Sequence, residues 1–105
     1  MRLDRARRDK RIEQTLKEAW IGDAVLCLYA RSKILMEDGL IESEKFERMT
    51  SNRFLGAIGE ASEVEAEIGR IYQRDGLSAA FEWMDERLLP RFQKEERNRQ
   101  KRERS

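Results

Sequence analysis

The sequence predicts an all-α fold in the form of one compact helical domain, and three observations support this class. Leu, Ala, Glu, Arg and Lys are abundant, whereas β-branched residues are few and proline occurs once, at Pro90. This composition favours helix nearly everywhere, and no segment has the alternating apolar pattern of a strand. The 105 residues provide room for one domain, since single domains usually run to about 100–200 residues.

Apolar spacing predicts a long first helix. Ile12, Leu16 and Trp20 recur every four residues, and the apolar run that begins at residue 19 continues to about Met36. This spacing places the apolar side chains on one helical face. Gly39 is expected to end the helix, because glycine most easily takes the left-handed conformation that follows a last helical turn.

Two further helices are indicated by capping residues. Ser43 is a predicted N-cap for a helix through residue 48. Thr50 or Ser51 is then expected to cap a third helix, which runs from near residue 52 to about residue 74 and stops at a following Asp-Gly pair.

The C-terminal part of the chain predicts one more helix and a charged tail. Ser78 is a predicted cap for a helix over residues 79–89. Pro90 either kinks the chain there or opens a last helical turn. The tail from Lys94 onward is either a solvent-exposed helix or disordered.

Charge is distributed unevenly, although the net charge is only +1. Residues 1–11 carry +4 (six basic, two acidic), residues 94–105 carry +3 (six basic, three acidic) and residues 12–93 carry −6 (ten basic, sixteen acidic). The sequence therefore predicts a helical domain between a basic N-terminal arm and a basic C-terminal tail. Both segments are either solvated helix ends or surfaces that attract nucleic-acid phosphates. The candidate phosphate-binding side chains are Arg5, Arg7, Arg8, Arg97, Arg99, Lys101 and Arg102.

Several classes of protein are disfavoured. The longest charge-free stretch is far shorter than the about 20 residues of a membrane span, and the basic start is not followed by an apolar signal-peptide core. A cytoplasmic protein is therefore expected. The single cysteine, Cys27, is expected to be a small buried hydrophobe, because the chain has no histidine to activate a thiol. Oligomerisation would support so small a core.

Asp23 is the only charged residue between residues 19 and 30, in a chain that is 41% charged. Burying an unpaired carboxylate is unfavourable, so such a residue usually has a partner, such as a cap, an arginine or a metal ion. The alternative interpretation is a helix break at Gly22, with Asp23 as the N-cap of a new helix.

Glu65 fills a gap in an apolar helical face. Ile58, Ala61, Ile68 and Tyr72 follow the three- and four-residue steps of one face, and Glu65 takes the position missing between them. An inward-facing glutamate is therefore predicted, either as part of a site or as a salt-bridge partner at an interface.

Two helices that each point one carboxylate inward favour a shared divalent cation. Mg²⁺ binds through few carboxylates and completes its shell with water and substrate phosphate. Such an ion polarises a phosphodiester and activates water, so hydrolysis does not require a histidine. One shared ion requires Asp23 and Glu65 to lie within about 8 Å of each other, given metal–oxygen distances near 2.1 Å.

Three segments resemble motifs of the ribonuclease III family and occur in the family's order. Residues 20–26, WIGDAVL, resemble the signature helix, in which an aromatic, an aliphatic, glycine and the catalytic aspartate precede a small residue and an apolar run. Residues 51–55, SNRFL, resemble the start of a second family helix. Residues 65–72, EAEIGRIY, with the following Asp75-Gly76, resemble the second catalytic helix. The resemblance covers about residues 12–90.

The resemblance implies that Asp23 and Glu65 are the catalytic metal ligands, with Mg²⁺ as the ion and Mn²⁺ as an alternative. Full-length members have a glutamate and an aspartate where this chain has Ala19 and Ser62. The Mini-ribonuclease III branch is similar to this chain in both respects, and it also has no appended double-stranded-RNA-binding domain. Asn52 and Ser62 are then expected to support the site.

The resemblance also implies a two-fold homodimer that binds double-stranded RNA. In the family the signature helices pack together across the two-fold axis, so Trp20, Ile21 and Val25 are expected at the interface as well as in the core. Simple core packing is the alternative for Trp20. The RNA would be held through its backbone and shape. Further candidates for this contact are Arg53 and, unless they pair with acidic neighbours, Arg70 and Arg74.

The predicted activity is therefore that of a metal-dependent endoribonuclease, which hydrolyses double-stranded or structured RNA. The resemblance to the Mini branch suggests ribosomal precursors as the substrate. Two alternatives remain. One is a dimer with a ribonuclease III fold that has lost catalysis and acts as an RNA-binding or ribosome-associated protein. The other is a helical protein adaptor, in which Asp23 and Glu65 only bridge subunits.

Overall fold

The structure is a computed structural model that describes the backbone of residues 2–104 and the side chains of residue 7 and residues 9–104. Arg5 and Arg8, two of the candidate phosphate-binding residues, lie outside the described side chains. Helices hold 89% of the described residues and none forms a strand, which confirms the all-α prediction. The helices are α1 (Arg2–Asp38), α2 (Ser43–Thr50), α3 (Asn52–Gly56), α4 (Ala61–Asp75), α5 (Leu77–Arg87) and α6 (Leu89–Arg104).

Helix α1 is 37 residues long and dominates the shape of the molecule. The Cα radius of gyration is 15.9 Å, compared with about 13 Å for a rounded domain of this size. The helix begins before the first apolar residue of the predicted stripe, so residues 2–11 extend it. It also runs unbroken through Asp23, which means that the alternative of a helix break with an N-cap there was wrong. Gly39, with φ of 70°, follows its end as predicted.

One face of α1 packs on α4 and α5 to form the core. The largest fully buried side chains are Tyr29, Leu26, Leu55, Ile68, Met84 and Leu88. The Tyr29 hydroxyl donates a hydrogen bond of 2.6 Å to Asp85, whose carboxylate also pairs with Lys33 at 2.9 Å. This polar cluster fixes α5 against α1 at the edge of the core.

The helix predicted over residues 52–74 was wrong, because the structure divides it into α3 and α4. The carbonyl of Leu55 accepts hydrogen bonds from both Ile58 (3.0 Å) and Gly59 (3.1 Å), which closes a turn. Gly56 and Gly59 are poor helix formers at this point of the chain. Ile58 therefore lies in the turn and not on the face of α4.

Of the predicted N-caps, only Ser51 is confirmed. Its hydroxyl accepts a hydrogen bond of 3.1 Å from the Phe54 amide. Ser43 is instead the first residue of α2, and Ser78 the second residue of α5; neither caps its helix. Gly76, with φ of 97°, precedes α5 directly and ends α4 in a conformation that favours glycine, so α5 begins earlier than predicted.

Helix α6 carries the basic tail. Pro90 is its second residue, where a missing amide proton costs no helical hydrogen bond. Two hydrogen bonds of 3.0 and 2.8 Å join the Arg48 guanidinium to Glu96. The rings of Phe54 and Phe92 meet edge to face at 5.5 Å. These contacts anchor the tail as a helix on α2 and α3.

No helix within residues 2–104 is both long enough and apolar enough to cross a membrane.

Candidate functional site

Helices α1 and α4 approach so closely that their backbones touch. A Cβ atom added to Gly22 would overlap with the carbonyl oxygen of Glu65, and one added to Gly69 would overlap with the carbonyl oxygen of Glu18. Glycine alone leaves room for this contact, because it has no side chain. The crossing brings Asp23, the residue after Gly22, beside Glu65.

The packing role of Gly69 was not predicted from the sequence. The signal that could have revealed it is the four-residue spacing of Glu65 and Gly69, which places them on one face of α4. A glycine at a buried helical position, here inside α4, often marks a close approach of two backbones.

The carboxyl groups of Asp23 and Glu65 lie in hydrogen-bonding contact across the helix crossing. Asp23 is exposed to solvent and Glu65 is half-buried. Their contact satisfies the limit of about 8 Å for two ligands of one ion. The structure thus brings together the two carboxylates that the sequence singled out, and we refer to them as the carboxylate pair.

The pKa of Glu65 rises from its usual value of 4.5 to about 7. Burial is the largest cause, because it disfavours the charged form, and the hydrogen bond and negative charge of Asp23 act in the same direction. No basic group among the described residues lowers the pKa of Glu65. Glu65 therefore retains its proton close to neutral pH, beside the negative charge of Asp23.

This raised pKa predicts a pH dependence of stability. The folded protein holds the Glu65 proton more tightly than the unfolded chain, so the contribution to stability is complete below pH 4.5 and is lost as the pH rises through about 7. Allowing for partial solvent exposure, we expect the free energy of unfolding to fall by about 1–2 kcal/mol over this range. Chemical denaturation at several pH values measures it.

The Glu65→Gln variant should lack this pH-dependent decline in the free energy of unfolding, because glutamine does not titrate. Glu63→Gln is the matched control, since Glu63 is exposed on the same helix and should leave the decline unchanged. An equal decline in Glu65→Gln and the wild type would contradict the assignment.

A divalent cation is a chemically suitable partner for the carboxylate pair. No group of three or more His, Cys, Asp or Glu side chains arranged for a metal ion occurs in the part of the chain that the structure describes. Mg²⁺ nevertheless binds commonly through one or two carboxylates together with water and substrate phosphate. Asp23 and Glu65 fit that mode, because Asp23 is open to solvent and no basic group among the described residues lowers the pKa of Glu65.

Glu18 does not extend the carboxylate pair. Its side chain, on a residue that is 8% exposed, accepts a hydrogen bond of 3.0 Å from Arg70. Arg70 also donates to Glu67 at 2.7 and 3.1 Å. Glu18 lies about 140° around α1 from Asp23, given 100° per residue. It therefore stabilises the packing of α1 on α4 from the other side of the helix.

Cys27 lies one turn after Asp23 and is half-buried, less deeply than the sequence predicted. Burial raises the pKa of its thiol, and the negative charges of Asp23 and Glu65 add to this effect. The thiol therefore stays protonated at neutral pH and is a poor nucleophile.

Asn52 and Ser62, the predicted supporting residues, are placed differently from each other. Ser62 is half-buried in the first turn of α4, three residues before Glu65 and on the same side of the helix. Asn52 is exposed at the start of α3. Within the described residues, no hydrogen bond joins Asn52 to the carboxylate pair.

An exposed apolar stripe follows α1 past Asp23. Its members recur every four residues, which places them in one slowly turning row on the helix surface. We call this row the α1 stripe; it consists of Leu16 (57% exposed), Trp20 (79%), Ala24 and Leu28 (47%).

The three predicted interface residues occupy different depths. Trp20 is 79% exposed, so the alternative of core packing for Trp20 was wrong. Ile21 is half-buried, and Val25, at 6% exposure, packs in the core of its own chain. Trp20 is therefore the residue with most surface to offer a partner.

The predicted RNA-contacting side chains fall into two groups. Arg70 is paired with Glu67 and Glu18, and Arg74 pairs with Asp75 at 2.8 Å, so both positive charges are largely balanced within the chain. The other described candidates differ in exposure. They are Arg7, Arg53, Arg97, Lys101 and Arg102, which are exposed, and Arg99, which is half-buried.

Comparisons of the chain with protein-family models, with curated proteins and with solved structures each found no match. Membership of the ribonuclease III family therefore stays a prediction from the three sequence motifs.

Proposed function

We propose that the protein is a divalent-metal-dependent endoribonuclease that hydrolyses phosphodiesters in double-stranded or structured RNA, with ribosomal precursors as candidate substrates. The observation that carries this proposal is the contact between the exposed Asp23 and the half-buried Glu65 at the glycine crossing of α1 and α4. The residues are far apart in sequence, yet the fold joins the two acids that the family resemblance marks as metal ligands.

The chemistry follows from the charge of the carboxylate pair. Its oxygens would hold a Mg²⁺ or Mn²⁺ ion, which would supply Lewis-acid polarisation of the scissile phosphate and promote ionisation of water. Glu65 must release its proton to serve as a ligand, since carboxylates bind metals in the ionised form. Asp23, on the solvent side, is the ligand that would meet the approaching phosphate first.

We also propose that the protein acts as a two-fold homodimer through the α1 stripe. A tryptophan with 79% of its surface exposed in an apolar row is unusual for a monomer. In a two-fold interface the α1 stripe of each copy would cover the α1 stripe of the other. The second copy would place its own Asp23 close to the interface as well, because Asp23 borders the stripe on α1.

Trp20→Glu is expected to convert the dimer into a monomer. Tryptophan is a frequent hot spot worth about 2 kcal/mol or more. Two-fold symmetry counts the change twice, so the dissociation constant should rise by about 1,000-fold. Analytical ultracentrifugation over a concentration series measures this shift.

Met36→Glu is the matched control for Trp20→Glu. Met36 has the same exposure of 79% on the same helix, but it lies about 160° around α1 from Trp20. The control should remain dimeric. A wild-type monomer at all concentrations, or equal effects of both changes, would rule out the α1 stripe as the interface.

The experiment that tests the activity is incubation of the wild-type protein with long double-stranded RNA in the presence of Mg²⁺ or EDTA. Cleavage that requires the metal and produces shorter duplexes is the expected result. Binding without cleavage would refute hydrolysis and favour the alternative of an RNA-binding protein that lacks catalysis. Absence of both RNA binding and cleavage would favour the alternative of a helical protein adaptor.

A further inference from the structure

A recess of about 230 Å³ lies between the α2–α3 junction and helix α6. Four arginines line it, together with two glutamates and the amide of Asn98. We call it the arginine pocket. Its charged residues are Arg48, Arg53, Arg99, Arg102, Glu95 and Glu96.

The pocket is held in shape by the contacts that anchor α6. Arg48 and Glu96 form a two-point ion pair, with distances of 3.0 and 2.8 Å, at its wall. Phe54 and Phe92 pack edge to face at its base. These contacts connect α2, α3 and α6, so the arginines of α6 are presented beside Arg53 of α3.

The charges around the pocket leave a positive surplus. Its lining holds four arginines and two glutamates, and Arg48 and Glu96 neutralise each other. Arg53 makes no ion pair or hydrogen bond within the described part of the chain. Arg99 pairs with Glu103 at 3.1 Å, but that glutamate side chain is 60% exposed, and such a surface pair is weak. The guanidinium groups of Arg53 and Arg99 can therefore reorient toward a bound anion with little loss of free energy from existing contacts.

We propose that the arginine pocket binds one phosphate group of an RNA backbone. Guanidinium groups form paired hydrogen bonds with phosphate oxygens, and several of them around one recess match a single tetrahedral dianion or diester better than a planar carboxylate. None of the residues lining the pocket belongs to α1 or α4, so this site is separate from the carboxylate pair. The inference rests on the proposed function, because it takes RNA as the ligand.

The first experiment measures affinity for a short RNA duplex in EDTA, where no cleavage occurs, at salt concentrations from about 50 to 200 mM. The variant Arg53→Gln/Arg99→Gln should weaken binding by about tenfold. Each neutralised phosphate contributes about 0.9 to the slope of log affinity against log salt. If both arginines hold one phosphate, the slope should fall by about 0.9; two independent contacts would lower it by about 1.8.

The matched control is Arg31→Gln/Arg87→Gln, which removes the same charge outside the pocket. It should change the affinity by less than about twofold and leave the slope intact. Equal effects of the two double variants would overturn the proposal, because they would show a general charge effect. A slope change near 1.8 would also overturn the single-phosphate site.

A second experiment separates free phosphate from the RNA backbone. Inorganic phosphate is titrated into the protein while the arginine side-chain NMR signals are followed; shifts confined to Arg53, Arg99 and their neighbours are expected. Such shifts with an unchanged RNA slope would overturn RNA as the source of the phosphate. Failure of the proposed hydrolysis can be distinguished from failure of the pocket proposal. A protein that binds RNA through the pocket and does not cleave it still shows the slope change.

Discussion

Replacing Gly22 with alanine is expected to destabilise the fold by about 3 kcal/mol or more. The added Cβ atom would occupy the position of the Glu65 carbonyl, which is backbone and cannot move aside without displacing α4. Gly69→Ala should have a similar effect, because its Cβ atom would meet the carbonyl of Glu18. Denaturant unfolding at a fixed protein concentration measures both changes.

Gly56→Ala is the matched control for these substitutions. A Cβ atom at Gly56 meets nothing within 4 Å, and the residue is helical, so alanine there should be neutral or stabilise the fold by up to about 1 kcal/mol. A cost below about 1 kcal/mol for Gly22→Ala would show that the two backbones do not touch in solution. Separation of the helices should also return the pKa of Glu65 toward its usual value.

The helices themselves follow from local chemistry to a large extent. The apolar spacing of α1 and the glycines at 39 and 76 identify helix ends without any knowledge of tertiary structure, because only glycine readily takes a positive φ. The division between α3 and α4 was missed, since Ile58 fits the helical spacing by chance. Which serine caps a helix was also ambiguous, because Ser43 and Ser78 lie only one or two residues from a cap position.

The carboxylate pair was partly visible in the sequence for a different reason. Asp23 stands alone in an apolar segment and Glu65 interrupts an apolar face, so each side chain is unusual in its own surroundings. Their contact depends on the glycine crossing, which links residues distant in sequence. The arginine pocket was harder still to foresee: its arginines come from α2, α3 and α6, and only the Arg48–Glu96 pair shows how the tail returns to the domain.

The proposed hydrolysis makes a prediction for the carboxylate pair with a larger effect than any change in stability. Asp23→Asn and Glu65→Gln should each lower the rate of Mg²⁺-dependent RNA cleavage by about 10²–10⁴-fold, because each removes one of two charged ligands. The double variant should be little worse than either single variant, since the two side chains act as a unit. Single-turnover cleavage of a duplex measures all three rates.

The controls separate catalysis from folding and from binding. Glu63→Gln, on the exposed side of α4, should cleave at the wild-type rate, and both site variants should retain RNA affinity because the arginine pocket is untouched. Wild-type cleavage should also need more Mg²⁺ as the pH falls below about 7, because the ion must displace the proton of Glu65. Site variants that cleave as fast as the wild type would move the activity away from Asp23 and Glu65. A Mg²⁺ requirement that does not change with pH would instead remove Glu65 from the ligand set, since its proton competes with any cation bound there.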